Sequence, residues 1–304
     1  MEKTHIESEI EKDLNLGLIA RVVVEGFITG LHKSPFHGFS VEFAEHRLYN
    51  TGSSIRSVDW KLFARTEKLF IKRYEEETNL RCQIILDRSS SMYFPEGKFS
   101  KMYFSVLASA SLMYLLQKQR DAFGLSIFSN IVENNIPCRA TNTHLKILLS
   151  ELETLLKSNP IQKSTSSSSS IHSLAESFHK RSLVIIFSDL LDNIDQPESF
   201  MSSLQHLRHN KHEVILFHVL DYSKELNLKF ENKPYHFIDL ETGRELKVNP
   251  LQIRDSYQNK MQAFQSLIQE KCGQNGIEYV ATDISLGFDL VLTNYLIKRN
   301  RMNI

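Results

Sequence analysis

Cysteine is scarce in this chain: Cys82, Cys138 and Cys272 are the only three in 304 residues, and no C-x-x-C spacing occurs. That excludes a disulfide framework and a cysteine-based zinc site, and it predicts a reduced, cytoplasmic setting. An excess of charge of either sign is also lacking. Lys plus Arg and Asp plus Glu each number 36, so the molecule as a whole has no field for capturing nucleic acid or an anionic membrane surface. No apolar run approaches the roughly 20 residues needed to span a bilayer. The opening Met1-Glu2-Lys3-Thr4-His5-Ile6-Glu7 carries no apolar core of a signal segment. Catalytic signatures are absent too: H-E-x-x-H, G-x-S-x-G, the Walker A pattern and G-x-G-x-x-G do not occur. His206 and His209 share a helix face with His212 close by, and without a metal-ligand motif the three are expected as surface histidines.

What is present is core-forming residue, 41% of the chain, enough for one large α/β domain with an addition. Ile84-Ile85-Leu86 is a short apolar run that stops at Asp87, and Arg88-Ser89-Ser90-Ser91 follows. This is a buried strand emptying into a polar loop. Asp87, Ser89 and Ser91 form a D-x-S-x-S pattern that can aim one carboxylate and two hydroxyls at a common centre. Oxygen-only donors favour a hard divalent cation, magnesium or manganese. The bland alternative is a serine-rich helix cap. A second run, Leu183-Val184-Ile185-Ile186-Phe187, ends in Ser188-Asp189 and delivers another carboxylate from the end of a buried strand. In open α/β sheets ligands collect at that carboxyl rim.

Between the two lies Ser164-Thr165-Ser166-Ser167-Ser168-Ser169-Ser170. Serine inside a helix costs about 0.5 kcal/mol relative to alanine, so most of this run is predicted as loop or helix entry. Thr165 is the preferred further ligand, because it precedes the helix feeding the Asp189 strand; Thr143 is its rival.

The order Asp-x-Ser-x-Ser, Thr, Asp on three loops resembles the metal-ion-dependent adhesion site of von Willebrand factor A domains. That resemblance implies that Asp87, Ser89, Ser91, Thr165 and Asp189 hold a divalent cation, directly or through water.

The remaining chain is predicted in order. Spacing at Ile6, Ile10, Leu14, Leu18 and Val22 predicts an amphipathic helical arm. Arg47, Arg56, Asp59 and Arg65 are expected to pair around Trp60, and Leu69 to Glu75 forms a strand. Helices are predicted from about Phe99 to Gln119, with Asn142 or Thr143 capping Leu145 to Leu156, and over Pro197 to His209 and Pro250 to Lys271. Strands are predicted at Ala122 to Phe128, Glu213 to Leu220 and Ile277 to Ala281, with Ile131 to Pro137 as an antiparallel edge. Tyr235 to Val248 reads as a hairpin turning at Gly243. The sum is a doubly wound, mostly parallel sheet of about six strands with helices on both faces. Its organisation is a small N-terminal α+β addition over residues 1–79 and a von Willebrand A-like domain over 80–304, with a hairpin insertion near 234–248.

The series Gly38, Glu42-Phe43, Glu45, Arg47, Tyr49, Gly52, Arg56, Asp59-Trp60, Ala64-Arg65 and Lys72 is similar to the signature of the DUF58 family (domain of unknown function 58), matching from about Ala20 to Asp192. Ser53-Ser54 stands where that family commonly has an acidic residue. The resemblance implies a soluble protein working beside a MoxR-type AAA+ ATPase, as adaptor or co-chaperone, with an acidic residue of that ATPase or of a client completing the cation site. The expected activity is therefore binding, not catalysis. The alternative is a metal-dependent phosphoester hydrolase with Asp192 as general base.

Overall fold

The computed structural model describes residues 15–33, 46–48, 65, 70–72, 80–97, 100–158, 167–194, 197–241, 243–287 and 289–302. In chain order its elements are α1 (Leu16–Lys33), β1 (His46–Leu48), β2 (Phe70–Lys72), β3 (Arg81–Asp87), α2 (Lys101–Lys118), β4 (Ala122–Phe128), β5 (Val132–Arg139), α3 (Asn142–Lys157), α4 (Ser167–Ser177), β6 (Leu183–Ser188), α5 (Pro197–His209), β7 (Glu213–Leu220), β8 (Tyr235–Ile238), β9 (Glu245–Val248), α6 (Pro250–Gln274), β10 (Glu278–Asp283) and α7 (Asp289–Met302). Single helical turns follow β3, β6 and β7, at Ser90–Tyr93, Leu191–Asn193 and Tyr222–Leu226.

Side chains of a strand alternate between its two faces, and here both faces are buried. Cys82, Ile84 and Leu86 of β3 join one core cluster, together with Leu183, Ile185 and Phe187 of β6 and Ile215, Phe217 and Val219 of β7. Ile85, Val184, Ile186, Val214 and Leu216 join the other. A strand covered on both sides reads as an unbroken apolar run, which is why these segments were visible in the sequence. Helices α1, α2, α3 and α7 cover the first face; α4, α5 and α6 cover the second.

The six-stranded sheet has the order β10-β7-β6-β3-β4-β5. All pairings are parallel except β4 with β5, which closes the edge antiparallel through a bulged register. Asp87 pairs level with Phe128, and Leu86 level with Phe187. The loops after β3 and β6 therefore emerge side by side at one rim. β1 and β2 form a separate antiparallel pair, as do β8 and β9. Among the described residues no helix is long and apolar enough to cross a membrane.

Two expectations shift. The buried stripe of α1 is Leu16, Ala20 and Val24, not Leu18 and Val22, which are 58% and 61% exposed. Apolar residues lie nearly all round this helix, so the i, i+4 spacing fits more than one face. The stripe packs into the same cluster as the core strands, so α1 is a layer of the α/β fold. Thr141, not Asn142 or Thr143, caps α3, its side chain accepting from the His144 amide at 3.2 Å. The stretch before Leu16 and the expected ion pairs around Trp60 lie outside the described residues.

Candidate metal centre

Asp87 is the last residue of β3 and is fully buried. Its two oxygens are committed to two different segments. The Ser89 amide donates to Oδ1 at 2.8 Å, and the Ser188 hydroxyl donates to Oδ2 at 2.5 Å. The first bond folds the D-x-S-x-S loop back on its own strand; the second ties it to the end of β6. Ser89 Oγ and Ser91 Oγ lie 3.0 Å apart, so the two hydroxyls of the pattern share one spot beside the carboxylate.

Asp189, also buried, arrives from the neighbouring strand. Its Oδ2 accepts from Lys101 Nζ at 2.7 Å and its Oδ1 from the Leu191 amide at 3.2 Å. Leu190, between them, has φ of 57° and no exposure. A bulky residue rarely adopts this left-handed conformation, and the turn it forces lets the Leu190 amide donate to Ser188 Oγ at 3.1 Å. His218 on β7 buttresses the same turn. Burial holds its imidazole neutral, down to about 4, so Nε2–H donates to the Asp189 carbonyl at 2.8 Å and Nδ1 accepts from the Tyr279 hydroxyl at 2.7 Å. A carbonyl can only accept, which fixes the tautomer.

Three residues outside the sequence-based set complete the arrangement. Lys101, the first residue of α2, is wholly buried and bonds both Asp189 and Glu225. Burial opposes its charge, but the two carboxylates more than offset this and hold its ammonium above the usual range. Ser188 supplies the link between strands. Glu241, at the tip of the β8–β9 hairpin, accepts a hydrogen bond at 3.2 Å from Ser91 Oγ. Lys101 left one signal in the sequence, a lysine opening an otherwise apolar helix at the end where the helix dipole disfavours a cation. Glu241 left none, since Asp239-Leu240-Glu241-Thr242-Gly243 reads as an ordinary turn.

The electrostatics are one-sided. Burial, followed by the charges of Asp192 and Asp189, pushes the Asp87 carboxyl up to about 8, against the pull of the Ser188 and Ser89 hydrogen bonds. Burial, then Asp189, with further contributions from Asp87 and Asp239, pushes Glu241 up to about 7, while the bond from Ser91 opposes it. Lys101 is shared between Asp189 and Glu225, and among the described residues no salt bridge reaches Asp87 or Glu241. Clustered carboxylates of this kind, with two hydroxyls at their centre, are a donor set that suits a hard divalent cation.

Of the candidate ligands, the fold brings together Asp87, Ser89, Ser91 and, across the strand boundary, Asp189. Thr165 lies outside the described residues. Thr143 starts α3, after β5 has run back beside the beginning of β4, where Arg139 pairs with Phe123; that is the opposite rim. Asp192 sits in the turn after β6, close enough for its charge to act on Asp87. Of the three histidines expected at the surface, His209 is exposed and His206 half-exposed, but His212 is buried and accepts from the Ser182 amide. His206 packs against His172, ring centres 4.2 Å apart with the planes tilted by 31°, on the outer side of α4 and α5.

A mostly parallel sheet with a D-x-S-x-S loop at its carboxyl rim is a von Willebrand A-like fold. The chain belongs to the DUF58 family, described as a protein of unknown function, whose match covers residues 45–266. That match starts later and runs further than the signature read from the sequence, which took in Ala20 to Asp192. An uncharacterized protein of Mycobacterium tuberculosis is 25% identical over 206 residues, which is 68% of this chain, and the chain spans 63% of that relative's length. A Mycobacterium bovis counterpart matches to the same extent. Among solved structures, BatB from Bacteroides thetaiotaomicron superimposes with a TM-score of 0.50 at 15% identity, covering 72% of this chain and 98% of that one. An aerotolerance-related membrane protein from Bacteroides fragilis gives the same TM-score and identity, with 72% and 99% covered. These two likenesses concern the fold alone.

Proposed function

We propose that this protein is a metal-dependent protein-binding module. Asp87, Ser89, Ser91 and Asp189, with Thr165, which precedes α4 in the chain, would hold Mg2+ or Mn2+, and the carboxylate of a partner would complete the coordination. The cation supplies an unsaturated positive centre; the chain's own residues orient it and bury one side. The observation carrying this reading is the Asp87 loop, where a buried carboxylate and two touching hydroxyls converge beside a second buried carboxylate. Neutral hydroxyls leave a magnesium ion electrophilic and reluctant to lose its last waters except to an anionic oxygen.

The partner proposed is a MoxR-type AAA+ ATPase, or a client protein offering an acidic residue, with this chain acting as adaptor or co-chaperone in the cytoplasm. Resemblance to DUF58 motivates that choice. The test is retention of a purified MoxR-type ATPase from the same organism on the immobilised full chain. Retention is expected with Mg2+, and loss with chelator or with Asp87→Ala. Equal retention in all three conditions would sink the metal-dependent reading.

A second reading, a metal-dependent phosphoester hydrolase, draws on Asp192, whose charge stands first among those acting on Asp87 and which could serve as base. Robust Mg2+-dependent phosphoester turnover, lost in Asp192→Asn, would favour it.

A further inference from the structure

The hairpin of β8 and β9 is an insertion between β7 and α6, and its strands are poorly buried: every side chain from Tyr235 to Ile238 and from Glu245 to Val248 is exposed or half-buried. Two paired strands without a covering layer are marginal on their own. Yet the tip is organised. The Gly243 amide donates to the Asp239 carbonyl at 2.9 Å and Asp239 donates to the Arg244 carbonyl at 2.8 Å. The Asp239 carboxylate accepts from the Glu241 amide at 2.8 Å, and Gly243 takes the positive φ of 69° that closes the turn.

The consequence is that one carboxylate of the tip points back at the body of the protein. Glu241 is half-buried where Gly243 and Arg244 beside it are exposed, and its Oε1 accepts from Ser91 Oγ across 150 residues of chain. It also lies within electrostatic reach of Asp189 and Asp87. A third acid brought up to two buried ones is unfavourable unless it is protonated or a cation lies among them. A carboxylate reaching the hydroxyl of a D-x-S-x-S loop is also what the partner was proposed to supply.

We propose that Glu241 is an internal ligand of the rim site, and that the β8–β9 hairpin is a displaceable cap that a partner's carboxylate must replace. This inference rests on the metal-binding reading above. It makes the site self-competing: an incoming acidic residue meets a coordination position already taken, so only a partner that also engages or dislodges the hairpin binds well.

The test uses the full chain with Mn2+ alone as probe. Water-proton relaxation counts the exchangeable waters on the bound ion, and hydrogen exchange follows residues 235–248. In the wild type, Mn2+ is expected to slow exchange across the hairpin. In Glu241→Gln, the bound ion gains about one water, since an emptied position on a hard cation is refilled from solvent; its affinity falls several-fold and the hairpin protection is lost. Glu245→Gln, on the same hairpin but paired with His236, leaves the water count and the affinity unchanged. Binding of Mn2+ with the same water count, affinity and hairpin protection in wild type and Glu241→Gln would overturn the internal ligand while leaving the metal site standing. Failure of Mn2+ to bind the wild type would overturn both.

Discussion

Lys101 and Asp189, 88 residues apart, form an ion pair of 2.7 Å with essentially no solvent exposure on either side chain. Their meeting joins the start of α2 to the end of β6 beneath the rim, and the same ammonium reaches Glu225 after β7. Replacing the lysine leaves two buried carboxylates unneutralised. Lys101→Met is expected to cost about 3–5 kcal/mol of stability, read by urea denaturation. Adding Glu225→Gln to Lys101→Met recovers part of that loss, whereas strictly additive losses would show that the three groups are not coupled.

Asp87 is predicted to be unfavourable without a cation and favourable with one. In chelator, Asp87→Asn melts at or above the wild-type temperature, because the substitution removes a carboxyl that burial and two neighbouring acids already disfavour. With Mg2+ or Mn2+ at 100 times its Kd the wild type gains about 2.7 kcal/mol. Asp87→Ala gains nothing. Thermal melts with and without metal check both halves, and an equal metal response in wild type and Asp87→Ala would reject the ligand assignment.

His212 ties acid sensitivity to a site away from the rim. It is fully buried, its pKa is lowered chiefly by burial, and its Nδ1 accepts from the Ser182 amide at 3.3 Å. The unfolded chain takes up its proton near pH 6.5, whereas the folded chain resists until lower pH. The unfolded state therefore binds more protons in that window, and this contribution to stability is lost as pH falls below about 6.5. His212→Gln should flatten the dependence of unfolding free energy on pH over that window. An unchanged slope would mean that other groups set it.

Gly124 sits in β4 where the bulged edge strand crowds it. A Cβ there would stand 2.6 Å from the Ile136 carbonyl oxygen and 2.9 Å from the Cys138 amide nitrogen. Both are backbone atoms that cannot rotate away. Gly124→Ala is expected to cost about 1–3 kcal/mol by overpacking, with metal affinity unchanged because the contact lies along the edge and not at the rim. A neutral effect on the denaturation midpoint would show that β5 yields easily.

Much of this architecture could be read from the sequence, because β3, β6 and β7 are buried on both faces and the chemistry of burial writes itself as unbroken apolar runs. Asp87 and Asp189 were legible for the related reason that a strand apolar up to its last residue announces where it stops. What could not be read is what tertiary contact alone creates. Glu241 belongs to a turn of ordinary composition, and only the return of the hairpin brings it to Ser91. The phase of α1 was ambiguous for a different reason: Leu18 and Val22 are as apolar as the residues that face inward, so spacing could not say which stripe the core would choose. His212 departs from the surface expectation because three histidines within seven residues look alike until one packs beneath a β-strand entry.

Leu190 spends its whole side chain in the core while its backbone holds a left-handed turn. Glycine would relieve that tension, but it would also free the joint to wander. A leucine wedged there makes the Asp189 corner stiff in advance, so if the β8–β9 ribbon is the displaceable cap proposed above, the movable part of the rim is that ribbon and not the corner beneath it. On that reading, speed of response and strength of grip reside in different parts of the molecule, and each can be tuned without the other.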